Sequence, residues 1–452
     1  MIYDVIILGA GPGGYLAGER AGHAGLKTMV IERKNVGGVC LNEGCVPSKT
    51  LLNSAKIYEY TTKGKKFGVV CKDVTYAQDE VIKRKNLVVR KLVSGIQGAL
   101  KKNNVTLVMG KAKICGKNSE GFIVSVNDEK FTCKNLIIAT GSEALMPPIT
   151  GVKEAYQEGI VLTNKEILDL KEIPQKLTVI GGGVIGLEMA SYYATVGSEV
   201  TVIEMLDRIA GQTDVEISSI LKSNLEKKGI KFLLGTKVTK VTNNVITYEV
   251  DGQNATIESD KILLSIGRRP NTKNIGIEKL GIAVEKGIKV DEKCKTNIPG
   301  VYAVGDVNGR SMLAHTAYRE AEVAVNTIIG KNDYMRYKAI PSVIYTNPEV
   351  ASVGETEETA GNKGMDFYVK KISMNYSGRY MAENDNGDGI TKVIIDKKYN
   401  KIIGMQIIGS YASEVIYGGG IMVETEMLIG DIQELVFPHP TVSEIIREAI
   451  FL

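Results

Sequence analysis

Val5-Ile6-Ile7-Leu8-Gly9-Ala10-Gly11-Pro12-Gly13-Gly14 is an apolar strand that runs directly into a G-x-G-x-x-G loop. A helical stretch follows, and then a second apolar run, Met29-Val30-Ile31, which ends at Glu32. Three glycines alone are a weak signal, but strand, glycines, helix, strand and terminal acid in that order form a dinucleotide fingerprint. Gly9, Gly11 and Gly14 let backbone N–H groups approach a pyrophosphate at a helix N-terminus, and Glu32 receives ribose hydroxyls. The same device recurs further along: Val179-Ile180 enters Gly181, Gly183 and Gly186, and Val200-Thr201-Val202-Ile203 ends at Glu204. In both copies the acid stands 23 residues after the first glycine. Two copies predict an α/β protein with two Rossmann-like domains and two dinucleotides.

Between the copies lies Gly37-Gly38-Val39-Cys40-Leu41-Asn42-Glu43-Gly44-Cys45-Val46-Pro47-Ser48-Lys49. Cysteines five apart on one regular helix have α-carbons roughly 7.5 Å apart along the axis, beyond the ~7 Å at which a disulfide closes. The pair is therefore expected on irregular backbone, with Pro47 opening a helix just after Cys45. A helix N-terminus favours thiolate, which makes Cys45 the low-pKa sulfur. Cys40, read as lying further out, is then the exchange partner for a substrate. A metal half-site fits poorly, because neither a second cysteine pair nor a histidine cluster is present. Cys71, Cys115, Cys133 and Cys294 stand singly and read as packing residues or inert thiols. In an otherwise thiol-poor chain such a pair points to a catalytic disulfide in a reducing, cytoplasmic compartment.

Length and composition agree with a large enzyme. The 452 residues give room for three or four domains, and 49 glycines suit several phosphate loops. A net charge of +4 is too small to argue for nucleic acid or an acidic membrane. No apolar run reaches the length of a membrane span, and the strand starting near Tyr3 leaves no room for a signal or transit peptide or for a preceding lipoyl-type domain. Because the cysteines follow the first fingerprint, that copy is assigned FAD, the acceptor of thiolate electrons, and the second a nicotinamide. Glu204 repels a 2′-phosphate and Arg208 stands a full turn later, so NAD is expected over NADP.

Taken together, these motifs resemble the flavoprotein disulfide reductase family almost end to end, and within it the members that oxidise dihydrolipoamide. Ala139-Thr140-Gly141 resembles the family's return from the flavin domain to the nicotinamide domain. Ile266-Gly267-Arg268-Arg269-Pro270-Asn271 resembles the exit. Thr296 and the run Val301-Tyr302-Ala303-Val304-Gly305-Asp306 resemble the second flavin motif, whose aspartate holds the ribityl chain. The run Pro341 to Glu349 opens a dimerisation domain, with Asn347 where a histidine often stands. The expected domains are 1–145, which binds FAD and carries the disulfide; 146–270, which binds NAD; 271–338, which completes the FAD site; and 339–452, an α+β dimerisation domain.

His439-Pro440-Thr441-x-Ser443-Glu444 resembles the family's catalytic ending, and it has its own logic. His439 can act as a base near neutral pH, and Glu444 can fix its tautomer and stabilise the imidazolium. The other histidines, His23 and His315, fall in helical patterns without an acid at comparable spacing. Phe437 stands where the family often has another histidine. The resemblance implies a relay. His439 takes a proton from dihydrolipoamide, and the substrate thiolate attacks Cys40 and frees Cys45. The electrons pass through FAD to NAD, and Lys49, near the flavin's reactive edge, is paired with Glu188. It also implies a homodimer with the base supplied across the interface, and a lipoyl domain of a partner acyltransferase or glycine-cleavage carrier as the substrate's bearer. Glutathione-type reductases fit less well, because they usually carry lysine at the position of Ser48 and basic residues near Glu204. Mercuric reductases usually end in a cysteine pair, whereas this chain ends Ile450-Phe451-Leu452. A docking component without turnover is disfavoured by the presence together of Cys40, Cys45, His439 and Glu444.

Overall fold

The computed structural model describes residues 2–384 and 387–452. The chain forms two compact units. One is built from Met1–Thr50, Glu80–Leu145 and Gly267–Arg336, the other from Leu51–Asp79, Met146–Ile266 and Tyr337–Leu452.

In the first unit the parallel strands Thr106–Met109, Thr28–Glu32, Ile2–Leu8 and Glu129–Ile138 lie side by side in that order. Strand Glu129–Ile138 shares its far edge between two partners: Gly121–Val126 runs antiparallel along its first half, and Val301–Ala303 runs parallel along its last residues. The central strands are continuous apolar runs rather than alternating ones, as expected of a sheet covered on both faces. Ile6, Leu8, Ile31, Ile138 and Val301 lie at the heart of this core. Helix Pro12–His23 leaves the end of the central strand, with Gly11 as its N-cap and Pro12 in its first turn, where a missing N–H costs nothing.

The second unit repeats the plan. Strands Lys231–Leu233, Glu199–Ile203, Lys176–Ile180, Lys261–Leu264 and Val161–Leu162 form a parallel sheet. Helix Val184–Thr195 is apolar almost all round and correspondingly buried. A three-stranded antiparallel sheet, Lys237–Thr242, Val245–Val250 and Gln253–Glu258, adjoins it in sequence. Residues after Tyr337 build a five-stranded antiparallel sheet in the order Ser342–Ile344, Glu349–Gly354, Lys401–Gly409, Ile390–Asp396, Phe367–Ser373. Helices Ala412–Glu424 and Glu444–Phe451 contribute buried residues to its core. The fold is thus α/β with two Rossmann-like sheets and a C-terminal α+β domain. Among the described residues no helix is long and apolar enough to cross a membrane.

Candidate active site

The two glycine loops share one geometry. A Cβ on Gly14 would stand 1.9 Å from the Gly9 carbonyl oxygen, and one on Gly186 would stand 2.2 Å from that of Gly181. These third glycines let helix and strand meet. The opening glycines, Gly9 at φ +102° and Gly181 at φ +104°, make the turn. The middle ones differ: a Cβ on Gly11 meets nothing nearer than 3.8 Å, and one on Gly183 meets nothing within 4 Å. The chain itself has no need of glycine there, so the open space above these backbones fits a pyrophosphate.

The acids are placed alike as well. Glu32 accepts Ala10 N–H at 2.7 Å on one carboxylate oxygen and Lys34 N–H at 2.8 Å on the other. Glu204 accepts Gly182 N–H at 2.6 Å and Leu206 N–H at 2.8 Å. Each carboxylate keeps lone pairs for ribose hydroxyls, since two oxygens offer about four acceptor sites. Residues and geometry therefore fit one dinucleotide in each copy.

The segment leaving the first domain is stitched to the segment re-entering it. Ala139 N–H donates to Leu8 O at 2.8 Å, Thr140 Oγ1 donates to Asn271 O at 2.8 Å, and Asn271 N–H donates to Gly141 O at 2.9 Å. Leu145 N–H donates to Gly267 O at 3.0 Å, and Ser142–Ala144 pairs antiparallel with Arg268–Pro270.

The cysteine segment packs on the first glycine loop. Gly37 N–H donates to Ala10 O at 2.8 Å, and a Cβ on Gly38, at φ +59°, would fall 2.7 Å from Gly11 Cα. Cys40 sits inside a short helix, Gly38–Glu43, and Cys45 is the first residue of helix Cys45–Thr62, with Gly44 between them. The irregular backbone expected over the whole pair is thus concentrated at Gly44. The second helix begins at Cys45 itself, two residues before Pro47. Neither cysteine is in a disulfide, and both reach the surface of the chain. The hydrogen bond to Cys45 and then burial push the Cys40 thiol far above the ordinary thiol range, while Lys49 pulls it down. Tyr15 and Tyr318 share a 2.6 Å hydroxyl contact in the field of the pair, and burial raises both phenols.

Asp306 lies on a one-turn 3₁₀ segment, Gly305–Asn308. It accepts Ser142 Oγ at 2.5 Å, and that hydroxyl in turn accepts Arg268 Nε at 2.7 Å. Fully buried Glu320 holds the turn: one carboxylate oxygen accepts Gly305 N–H at 2.6 Å and Asn308 Nδ2 at 2.9 Å. Sequence reasoning read Arg268 only as part of the exit motif, and it passed over Ser142 and Glu320. Ser142 adjoins the Ala139-Thr140-Gly141 motif, whereas an acid on a helix reads as a solvated face.

In the second unit, buried Glu188 accepts Tyr345 N–H at 3.0 Å. Glu444 accepts Thr441 N–H at 2.7 Å on one oxygen, and its other oxygen stands 2.8 Å from His439 Nδ1. The Thr441 N–H, against a weaker opposing effect of burial, and then His439 hold the Glu444 carboxyl below its usual range. The His439 side chain is 76% exposed, so the ring is pinned from one side and open on the other. The two departures from the family pattern have structural roles. Phe437 packs against the C-terminal core. Asn347 Nδ2 donates at 2.9 Å to Glu59, which also pairs with Lys228 at 2.8 Å. Cys133 and Cys294 are buried, as packing residues would be, and Cys71 is exposed. Among the described residues no group of three or more His, Cys, Asp or Glu is placed to hold a metal ion.

Known proteins share this arrangement. Residues 3–321 match the pyridine nucleotide-disulphide oxidoreductase family, and residues 340–450 match that family's dimerisation domain. A dihydrolipoyl dehydrogenase of Mycoplasma pneumoniae is 38% identical over 451 residues, 99% of this chain and 98% of that protein. One from Bacillus subtilis is 39% identical over 453 residues, 99% of this chain and 95% of that protein. Among solved structures, an HOCl-induced flavoprotein disulfide reductase from Escherichia coli superposes over all of both chains with a TM-score of 0.88 at 26% identity. With both of its domains matched and its cysteine pair set against the first nucleotide loop, the chain belongs to the pyridine nucleotide-disulphide oxidoreductase family.

Proposed function

We propose that this protein is an FAD-containing dihydrolipoyl dehydrogenase, which oxidises protein-bound dihydrolipoamide to lipoamide and reduces NAD to NADH. The carrying observation is the contact between Cys40 and Cys45 across Gly44, at a helix N-terminus beside Gly11. The substrate assignment rests on full-length likeness to dihydrolipoyl dehydrogenases.

In this reading the resting enzyme carries the Cys40–Cys45 disulfide. His439 takes a proton from one substrate thiol, and Glu444 holds the ring's other nitrogen and stabilises the imidazolium. The substrate thiolate bonds to Cys40 Sγ, the Cys40–Cys45 bond breaks, and its electron pair leaves with Cys45, whose thiolate is favoured by the helix N-terminus. The second substrate thiolate then bonds to the first substrate sulfur and displaces Cys40, which takes up a proton. Lipoamide leaves with the enzyme two electrons richer. FAD, when bound, accepts that pair and delivers it to NAD as hydride. Gly9, Gly11, Gly14, Glu32 and Asp306 are the residues to hold FAD, with Lys49 and the stitched Ala139-Thr140-Gly141 and Gly267 segments beside it. Gly181, Gly183, Gly186, Glu188 and Glu204 are those for NAD. We take the working form to be a homodimer in which His439 serves the partner copy's cysteines. The lipoyl group arrives on a carrier domain of an acyltransferase or glycine-cleavage protein, and the setting is cytoplasmic. Turnover of dihydrolipoamide with NAD that disappears in Cys40→Ser and Cys45→Ser supports this reading, and turnover persisting in either variant refutes it.

A further inference from the structure

The loop after Glu204 is pinned from outside its own sheet. Within the loop, Ala210 takes a left-handed φ of +62°, and its N–H reaches Gly182 O at 2.8 Å, on the residue whose own N–H binds Glu204. Arg208 is the only basic residue between Glu204 and Asp214, and its guanidinium lies on the Glu358 carboxylate at 2.9 and 3.4 Å. Asp214 ends the loop. One of its oxygens caps helix Val215–Lys227 through Glu216 N–H and Ile217 N–H, and both oxygens accept Lys392 Nζ, at 3.0 and 2.9 Å. Lys392 sits in strand Ile390–Asp396 of the C-terminal sheet with its side chain 4% exposed. Its ammonium also pairs with Glu357 and, at 3.4 Å, with Glu216. Glu216 in turn accepts Lys371 Nζ at 2.9 Å.

An ammonium in a core strand is costly unless fully paired, and an apolar residue of that size would serve stability at least as well. What this arrangement adds is a single fixed position for the loop, because it is tied to one domain both within its length, at Arg208, and at its end, Asp214. We infer that the Lys392–Asp214 and Arg208–Glu358 links form a clamp through which the C-terminal domain sets affinity for the adenosine half of NAD and its selection over NADP. The inference rests on reading Gly181 to Glu204 as the NAD site. Lys392 and Glu358 are positioning residues, since neither touches the glycine loop. Lys392 fixes the loop that presents Glu204. Glu358 keeps Arg208 committed, so that a 2′-phosphate finds the Glu204 carboxylate and no free cation.

The test compares variants of the FAD-loaded enzyme in steady state with NAD and with NADP, alongside anaerobic reduction of the enzyme by dihydrolipoamide alone. Asp214→Asn keeps a capping side chain and loses the charged link. It and Lys392→Met raise KM for NAD about tenfold, within the ~5–150-fold span of couplings between sites. The dithiol half-reaction and the flavin content stay unchanged, and Lys392→Arg recovers part of the KM. Glu358→Gln, which frees Arg208, raises kcat/KM for NADP several-fold relative to NAD. An unchanged KM for NAD in Asp214→Asn overturns the clamp, as does a loss shared equally by the dithiol half-reaction. Asp214→Asn and Glu358→Gln decide the matter even where Lys392→Met does not fold. A wild-type enzyme that uses both nucleotides equally well refutes the NAD-site reading instead.

Discussion

Replacing Glu444 with glutamine separates orientation of His439 from base chemistry. Thr441 N–H can only donate, so the glutamine's oxygen must stay on that 2.7 Å contact and its NH₂ group must face His439 Nδ1 at the 2.8 Å position. Nδ1 then has to accept, which moves the ring proton to the nitrogen turned away from residue 444. That is the nitrogen needed to take the thiol's proton. A hydrogen bond to a charged partner contributes about 1.5–3 kcal/mol and one to a neutral partner about 0.5–1.5 kcal/mol. The lost stabilisation of the imidazolium is thus about 1 kcal/mol, kept low because solvent screens a ring that is 76% exposed. The misplaced tautomer adds a similar amount, giving about 2 kcal/mol, or roughly 30-fold in kcat/KM. His439→Gln removes the base itself, and its expected loss is about 10²–10⁴-fold. The assay is anaerobic steady-state oxidation of dihydrolipoamide on both variants, with NADH-driven reduction of a small artificial acceptor as control. That control bypasses the thiol step and is expected to survive both changes. A Glu444→Gln enzyme as active as wild type refutes the orienting role. Equal loss in the control places the damage at the flavin instead.

The cysteines are expected to divide their work. With FAD bound, Cys40→Ser keeps a thiolate at position 45 and its long-wavelength absorbance, whereas Cys45→Ser loses the absorbance; the opposite pattern, read from visible spectra, reverses the assignment. Gly183→Ala is expected to leave thermal stability within about 0.5 kcal/mol and to weaken NAD binding, whereas Gly186→Ala, whose Cβ falls 2.2 Å from a carbonyl oxygen, disrupts the domain. Thermal melts and NAD titrations of the pair check this, and tight NAD binding by Gly183→Ala counts against a pyrophosphate over that residue. Glu59 supplies a pH dependence. Burial works to raise its carboxyl, but Lys228, Lys63 and Asn347 outweigh burial and bring it from 4.5 down to about 2. A depressed carboxylate contributes fully above its unfolded value, so this contribution, about 3 kcal/mol, is complete above pH 4.5 and is lost as pH falls towards 2. Glu59→Gln is expected to lower neutral-pH stability by about that amount and to flatten acid unfolding between those limits. Parallel acid titrations of the two proteins would sink the claim.

Much of the fold was legible because its signals are local. A strand that must end where a glycine turns, and an acid that must stand 23 residues on, fix a βαβ unit from sequence alone, and the structure repeats even the acids' backbone partners in both copies. The His439–Glu444 contact was equally readable, since five residues and a proline leave little freedom. The exact break between the two cysteine helices was not. It falls at Gly44, with Cys45 already inside the second helix, and a glycine's torsions are set by what packs around it. Glu320 and Lys392 stayed invisible for a related reason. A charged residue in a helical or strand pattern reads as a solvent-facing position, and only tertiary packing shows that Glu320 is buried under the Asp306 turn and Lys392 against Asp214.

Whether the protein oxidises dihydrolipoamide with NAD is decided by a side-by-side rate comparison on the purified, FAD-loaded protein: dihydrolipoamide with NAD, dihydrolipoamide with NADP, and glutathione disulfide with NADPH. Rapid NADH formation is expected from the first pair, far slower turnover with NADP, and none above background with glutathione disulfide. Faster turnover of glutathione disulfide with NADPH than of dihydrolipoamide with NAD would contradict this expectation.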